Sequence, residues 1–190
     1  MTAGSDVAEV VAEIEDAAKQ RKLRAMEPER NLIAALLNLD TTAAAEILSH
    51  VRTTDFADHL CAAVSVLIRH LVNEHRQPSP QAVVTLARGL GERLGQFHLT
   101  PDRVGLFVSE VYTLGNPLTS WDSARLVIED SYRRRYEADA TRIAQMAADY
   151  APIRDLVRYV AAAVARWRRE HARLTAITRR ATHTPERNPR

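Results

Sequence analysis

Residues 27–40 read Glu-Pro-Glu-Arg-Asn-Leu-Ile-Ala-Ala-Leu-Leu-Asn-Leu-Asp, and this stretch decides the fold class. An acidic opening followed by leucine, isoleucine and alanine predicts a short helix over about residues 27–38, because carboxylates are favoured in the first turn of a helix. The leucine, isoleucine and alanine residues that fill the rest of this helix are typical of an amphipathic helix.

The segments on either side also show helical periodicity. Residues 5–24 predict an amphipathic, acidic helix with an apolar face of Val7, Val10, Val11 and Ile14. Further helices are predicted over about 42–50 and 56–74. Pro80 in a first turn predicts another that continues to Leu90, and Thr100 as N-cap before Pro101 predicts one that continues to about 111.

The pattern changes after residue 117. Ser120 is predicted as the N-cap of a helix that meets no glycine or proline before Pro152, and a second long helix is predicted after that proline. Such helices should fold back as an antiparallel hairpin. The apolar stripes expected to form its seam are Ile128, Tyr132, Tyr136, Ala140, Ile143, Ala147 and Tyr150 on the first arm, and Ile153, Val157, Val160, Val164, Trp167, His171 and Leu174 on the second.

The chain is therefore predicted to be all-α. We expect an acidic N-terminal helix over 1–25, a globular head of about six helices over 26–115, a helical hairpin over 120–177 and a disordered basic tail over 178–190. The apolar content of 46% is too high for a chain that is disordered as a whole.

Three motifs, in this order, resemble the N-terminal domain of DnaB-type replicative DNA helicases. They are Glu27-x-Glu29 with the aliphatic run to Leu37, Asp55-Phe56-x-Asp58 followed by a helix and Gln77-Pro78, and Ser123 to Glu129 followed by Arg134-Arg135. The chain differs from the family at Ala34, where glycine is usual, and at Ala57, where tyrosine is frequent. The resemblance covers about residues 26–175.

In that family the domain forms the collar of a hexameric ring and binds primase. The resemblance implies a replication-associated interaction module that binds primase or a replicative helicase and associates with itself through the hairpin. Four apolar residues are expected on the exposed flanks of the hairpin, where they would bind partners: Leu126, Val127, Met146 and Leu156.

No motif predicts catalysis. A Walker A loop requires a lysine after a glycine-rich turn, and Lys19 and Lys22, the only lysines, follow none. Gly89, Gly91 and Gly95 predict a helix C-cap and turn instead of a nucleotide loop. His70 and His75 diverge on a helix and predict no metal site. We expect no enzyme activity, no cofactor and no metal.

Composition favours a cytoplasmic protein with no membrane span, since one cysteine allows no internal disulfide and no apolar run is long enough. The net charge of +2 combines an acidic start with an arginine-rich end. A row of arginines opposite the apolar stripe of the second arm is expected to contact an acidic protein, with nucleic acid binding possible but weak: Arg154, Arg158, Arg166, Arg169, Arg173 and Arg180.

Two alternatives to the replication module remain open at this stage. One is a basic helical DNA-binding regulator, in which the arginine row contacts phosphates. The other is a structural remnant of a split helicase. Salt dependence separates the first from a protein-binding module, because phosphate binding falls steeply with ionic strength.

Overall fold

The computed structural model describes residues 27–183 except 98 and 114, so the predicted acidic helix over 1–25 and the end of the predicted tail lie outside the described residues. The described residues contain helices and no strand, which confirms the all-α class. The helices are α1 over 27–36, α2 (Thr41–His50), α3 (His59–Asn73), α4 (Pro80–Leu90), α5 (Pro101–Tyr112), α6 (Ser120–Ala148) and α7 (Ile153–His183), with 3-10 turns at Thr53–Asp55, Gly91–Phe97 and Pro117–Thr119. No helix in these ranges is long and apolar enough to cross a membrane.

Helix α1 lies at the centre of the head. Its side chains from Leu32 to Leu36 are 0% exposed, and Leu37, just after the end of the helix, is 2% exposed. The faces of α2 to α5, and the start of α6, pack around it through buried aliphatic residues such as Ile47, Ile68 and Val104. Apolar burial on this scale is the main stabilising contribution to the head.

The helices of the head begin and end at residues that are typical helix caps. Asp40, Asp58, Ser79 and Thr100 cap α2 to α5 by accepting a backbone N–H with the side-chain oxygen. Gly91 ends α4 with a φ of +48°, a left-handed conformation that favours glycine. The predicted helix C-cap is therefore confirmed at Gly91, while Gly89 lies within α4 and Gly95 within the 3-10 turn that follows.

Helix α6 begins differently from the prediction. Thr119 is its N-cap residue and makes no side-chain capping bond, while Ser120 is the first helical residue. The 3-10 turn Pro117–Thr119 precedes the helix, and the Asn116 side chain accepts the backbone N–H of Leu118 at its start. The chain therefore continues from this turn directly into α6, which shifts the N-cap to Thr119. The predicted Ser120 cap is wrong by one residue.

Helices α6 and α7 are 29 and 31 residues long and run antiparallel. A turn at residues 149–152 joins them, in which Tyr150 has a φ of +51°. Asp139 on α6 faces Tyr159 and Trp167 on α7, and Arg135 faces Glu170 closer to the head. The two helices therefore project from the head as a paired arm.

The buried face of α7 shares Val160, Trp167 and Leu174 with the predicted stripe but differs from it elsewhere. The residues turned towards α6 and the head are Leu156, Val160, Ala163, Trp167, Glu170, Leu174 and Ile177, all buried or half-buried. Val157 is instead 61% exposed and Ile153 73% exposed, so the predicted stripe is rotated from the observed one. On α6, Tyr136 is 48% exposed and Tyr150, beyond its end, 94% exposed. Charged residues occupy seam positions, and hydrophobic periodicity does not detect them.

The predicted start of a disordered tail is also wrong for the residues that the structure describes. Helix α7 continues through His183 instead of ending near residue 177. Ile177 is fully buried, and Arg180 forms an ion pair of 3.4 Å with Glu46 on α2. Contact with the head therefore stabilises the helix past the predicted boundary.

Candidate interaction site at the junction of head and hairpin

Glu29 connects α1 to the start of α3. Its side chain is buried, and its two carboxylate oxygens accept the backbone N–H groups of Ala57 and Asp58 at 2.6 and 2.9 Å. Burial raises the pKa of Glu29 by more than these two hydrogen bonds lower it. Arg134 on α6 lies 3.8 Å from the same carboxylate, so one acidic residue joins three segments of the chain.

Asp55 is the second buried carboxylate, in the 3-10 turn before α3. It is fully buried and accepts the backbone N–H of Arg52 at 2.7 Å and the hydroxyl of Ser131 at 3.0 Å. The Arg173 guanidinium donates to both of its oxygens. Burial favours the neutral acid, but these donors outweigh it and hold the pKa of Asp55 below its usual value.

Glu170 on α7 completes this cluster. It pairs with Arg52 at 2.7 Å, with Arg135 at 3.0 Å and with Arg173 one turn further along α7. Burial opposes ionisation of Glu170, but the hydrogen bond and charge of Arg173, with the charges of Arg135 and Arg52, hold its pKa below the usual range. The junction cluster is hereafter Glu29, Arg52, Asp55, Ser131, Arg134, Arg135, Glu170 and Arg173.

The junction cluster joins α1, the 3-10 turn at Thr53–Asp55, α6 and α7. Each of its three acids is engaged by backbone N–H groups, by arginine or by both. The Nη1 atom of Arg134 is buried and makes no hydrogen bond, although it lies beside Glu29. Buried ion pairs of this kind fix geometry more than they add stability.

A second polar contact lies further along the arm, at Asp139. Its carboxylate accepts the Tyr159 hydroxyl at 2.8 Å, Arg166 at 2.6 Å and the Trp167 indole N–H at 3.0 Å. Burial opposes ionisation of Asp139, but the Arg166 and Tyr159 hydrogen bonds hold its pKa below the usual value. The ring of Tyr136 packs on Trp167 with centroids 4.5 Å apart.

A cavity of about 170 Å³ separates Asp139 from the junction cluster. It is lined by Tyr132, Arg135, Ala138, Asp139, Arg166, Trp167 and Glu170. No group of three histidine, cysteine, aspartate or glutamate side chains in the described part of the chain could hold a metal ion. The one cysteine, Cys61, is buried, and burial raises the pKa of its thiol.

The four predicted partner-binding residues occupy different environments. Leu126 is 37% exposed, and Met146 and Leu156 are half-buried. Val127 is 1% exposed, because it belongs to the core contact between α6 and the head. The prediction of Val127 as a flank residue is therefore wrong.

The six arginines of the predicted row fall into two groups with different contacts. Arg154, Arg158 and Arg169 are exposed. Arg166 and Arg173 turn into the arm and pair with Asp139 and with Asp55 and Glu170, while Arg180 pairs with Glu46. The single row expected to face an external partner is thus wrong, because internal carboxylates engage part of it.

Sequence reasoning missed the acidic residues that organise the arm. Asp139 and Glu170 lie on the faces of α6 and α7 that contact each other, among apolar residues. An acidic residue at such a position indicates a buried ion pair across the seam. Glu29, Asp55 and Arg134 belong to the motifs that resemble the family, but those motifs do not predict the contacts of Arg134 with the other two.

Comparison of the chain with protein-family models, curated proteins and solved structures finds no match in any of the three.

Proposed function

We propose that this chain is a non-catalytic interaction module of the DNA replication machinery, similar to the N-terminal domain of DnaB-type helicases. The proposal rests on one observation above the rest. Residues from all three motifs that resemble the family meet at the junction cluster: Arg134 lies beside the Glu29 carboxylate and donates to the backbone carbonyl of Asp55, although the three residues lie far apart in sequence. Each of the three motifs therefore contributes a residue to the same set of contacts.

The architecture supports the same proposal. A helical head followed by two long paired helices matches the order that the resemblance implies. A projecting arm presents more surface than a compact domain of equal length, and this surface suits contacts with other proteins. The chain would bind primase or the collar of a replicative helicase, and it would self-associate through α6, where Leu126 is partly exposed.

The exposed arginines have a role in this proposal. Arg158 has a side chain 81% exposed and Arg154 one 89% exposed, and among the residues that the structure describes both pair with Asp155. Positive charge held on the surface of the arm would steer an acidic protein partner and mainly raise the association rate. Arg169 extends the charged surface towards the head.

The DNA-binding alternative has less support from the same surface. Arg166 and Arg173 are engaged by carboxylates, which leaves fewer arginines for a phosphate backbone. Binding through the remaining exposed arginines would be weak and strongly dependent on salt.

The test measures binding of the purified chain to the C-terminal helicase-interacting region of primase, to a helicase collar and to DNA, each at physiological salt. We expect micromolar binding to one of the proteins, and slower association for the double variant Arg158→Glu, Arg169→Glu. Arg103→Glu, an exposed reversal on α5, is the matched control. Tight DNA binding without either protein would replace the proposal with the DNA-binding alternative.

A further inference from the structure

An exposed apolar stripe follows the outer face of α7. Ile153 and Val157 are 73% and 61% exposed, and the exposed Ala161 and Ala165 continue the line. These positions recur every four residues and share one face, separate from the face that contacts α6. The stripe is about 18 Å long at 1.5 Å per residue. We refer to Ile153, Val157, Ala161 and Ala165 as the outer stripe.

Positive charge borders the outer stripe on one side only. Arg154 and Arg158 each follow a stripe residue by one position and therefore lie about 100° further round the helix. Their side chains are 89% and 81% exposed, and Asp155 is the one carboxylate paired with either of them in the described chain. A helix that fits this surface needs an apolar face with acidic residues along one edge.

The sequence before α1 has these properties. Residues 5–24 predict an amphipathic helix with Val7, Val10 and Ile14 on one face. Glu9 and Glu13 each precede an apolar residue of that face by one position. We propose that the first half of this segment, residues 5–16 with five acidic and no basic side chains, docks on the outer stripe of its own chain, as a third helix on the arm.

The length of the segment fits the distance. Glu29 lies beside Arg134, at the level of the arm where Arg135 meets Glu170. A helix extending from there towards the tip places Val10 to Ile14 about 22–28 Å away, and Ile153 to Val157 lie about 20–26 Å from Glu170 along α7. The two apolar faces therefore reach the same level of the arm.

The direction of the chain fits the charges. A segment that leads from the tip of the arm to α1 runs parallel to α7. When two parallel helices pack together, a side chain one position after a contact residue of one helix lies beside a side chain one position before a contact residue of the other. Arg154 and Arg158 follow the outer stripe, and Glu9 and Glu13 precede the apolar face, so opposite charges become neighbours. The docked segment would compete with any partner of the same face.

A double-cysteine experiment on the full chain tests this proposal. Ile14→Cys is combined with Val157→Cys, and in the control with Leu106→Cys on α5. Leu106 is 74% exposed and lies next to Phe107, over which Arg30 packs, so a freely moving segment would reach it readily. We expect the Val157 pair to form a disulfide within one chain at least about tenfold faster than the Leu106 pair, because docking raises the effective concentration.

Equal rates for the two pairs, or disulfides that join only separate chains, would overturn the proposal; the second result would identify another copy as the occupant. Charge swapping gives an independent result: Arg158→Glu or Glu13→Arg should each slow the cross-link, and the two together should restore it. Failure of the double variant to recover would also contradict the proposal. No replication protein takes part, so the result does not depend on the proposed function.

Discussion

Arg173, near the end of α7, forms a bidentate ion pair with Asp55. Asp55 lies 118 residues earlier in the sequence, in the 3-10 turn Thr53–Asp55 of the head. Both side chains are buried or nearly so, with 11% exposure for the arginine and none for the aspartate. The pair fixes the arm to the head at one point, and the guanidinium also engages Glu170. The junction therefore depends on charges that compensate each other away from water.

Removing one charge of this pair should be costly. Asp55→Asn leaves the Arg173 guanidinium buried with a weaker acceptor, so the free energy of unfolding should fall by about 3–5 kcal/mol. Urea denaturation followed by circular dichroism measures the change. Asp149→Asn, an exposed residue at the end of α6, is the control and should stay within about 0.5 kcal/mol of the parent.

Stability should decrease at acid pH. Asp55, Asp139 and Glu170 have pKa values held below their usual 3.8, 3.8 and 4.5, so the folded state binds protons at these sites less readily than the unfolded state. Their contribution is present above the usual values and is lost as pH falls through the lowered ones. The urea midpoint measured from about pH 5 to pH 3 should therefore decline.

Two variants check the origin of that decline. Asp55→Asn should flatten it, since one of the contributing acids is gone. The raised pKa of Glu29 acts with the opposite sign, because the folded state takes up this proton more readily and its contribution is lost as pH rises. Glu29→Gln should therefore steepen the decline, and an unchanged slope in both variants would contradict this assignment.

The outer part of the arm should depend on Asp139. Asp139→Asn weakens the hydrogen bonds to Tyr159, Arg166 and Trp167 at once. Amide hydrogen exchange over residues 140–165 should become about three- to tenfold faster, while residues 124–131, which pack on the head, should change little. Asp130→Asn is the control, because Asp130 makes none of these bonds. Uniform exchange along α6 in the Asp139 variant would rule out this local role.

Gly115 should not tolerate a side chain. A Cβ atom there would lie 2.3 Å from the Asn38 side-chain nitrogen and 2.5 Å from the backbone oxygen of Ala34. Gly115→Ala should lower the free energy of unfolding by about 1–3 kcal/mol. Gly89→Ala, within α4 and with no atom within 4 Å of its Cβ, should instead raise it by about 0.5–1 kcal/mol. Equal effects in a thermal unfolding comparison would show that the contact at α1 is not tight.

Self-association should depend on α6. Leu126 is 37% exposed at the level of the head, so Leu126→Glu should lower the mass measured by sedimentation at tens of micromolar without loss of helicity. Leu106→Glu, at a more exposed position on α5, should leave the mass unchanged. A parent chain that is strictly monomeric at this concentration would contradict the expectation.

The sequence by itself determined the local structure. Capping residues such as Thr100 before Pro101, the aliphatic run to Leu37 and the glycine at residue 91 act over one or two turns, so their neighbours in sequence are their neighbours in space. The all-α class and the position of most helices followed from these short-range signals. The motifs that contain Glu29, Asp55 and Arg134 are visible in the sequence, but the contacts of Arg134 with the other two are not.

Only the tertiary structure decided which face of each long helix is buried. Asp139 and Glu170 occupy the seam because arginines from distant segments compensate their charge, and hydrophobic periodicity counts such residues as surface. The same contacts turned Arg166 and Arg173 inwards and left Ile153 and Val157 exposed. A buried charge is stable only beside its partner, and for Asp55 that partner lies 118 residues away.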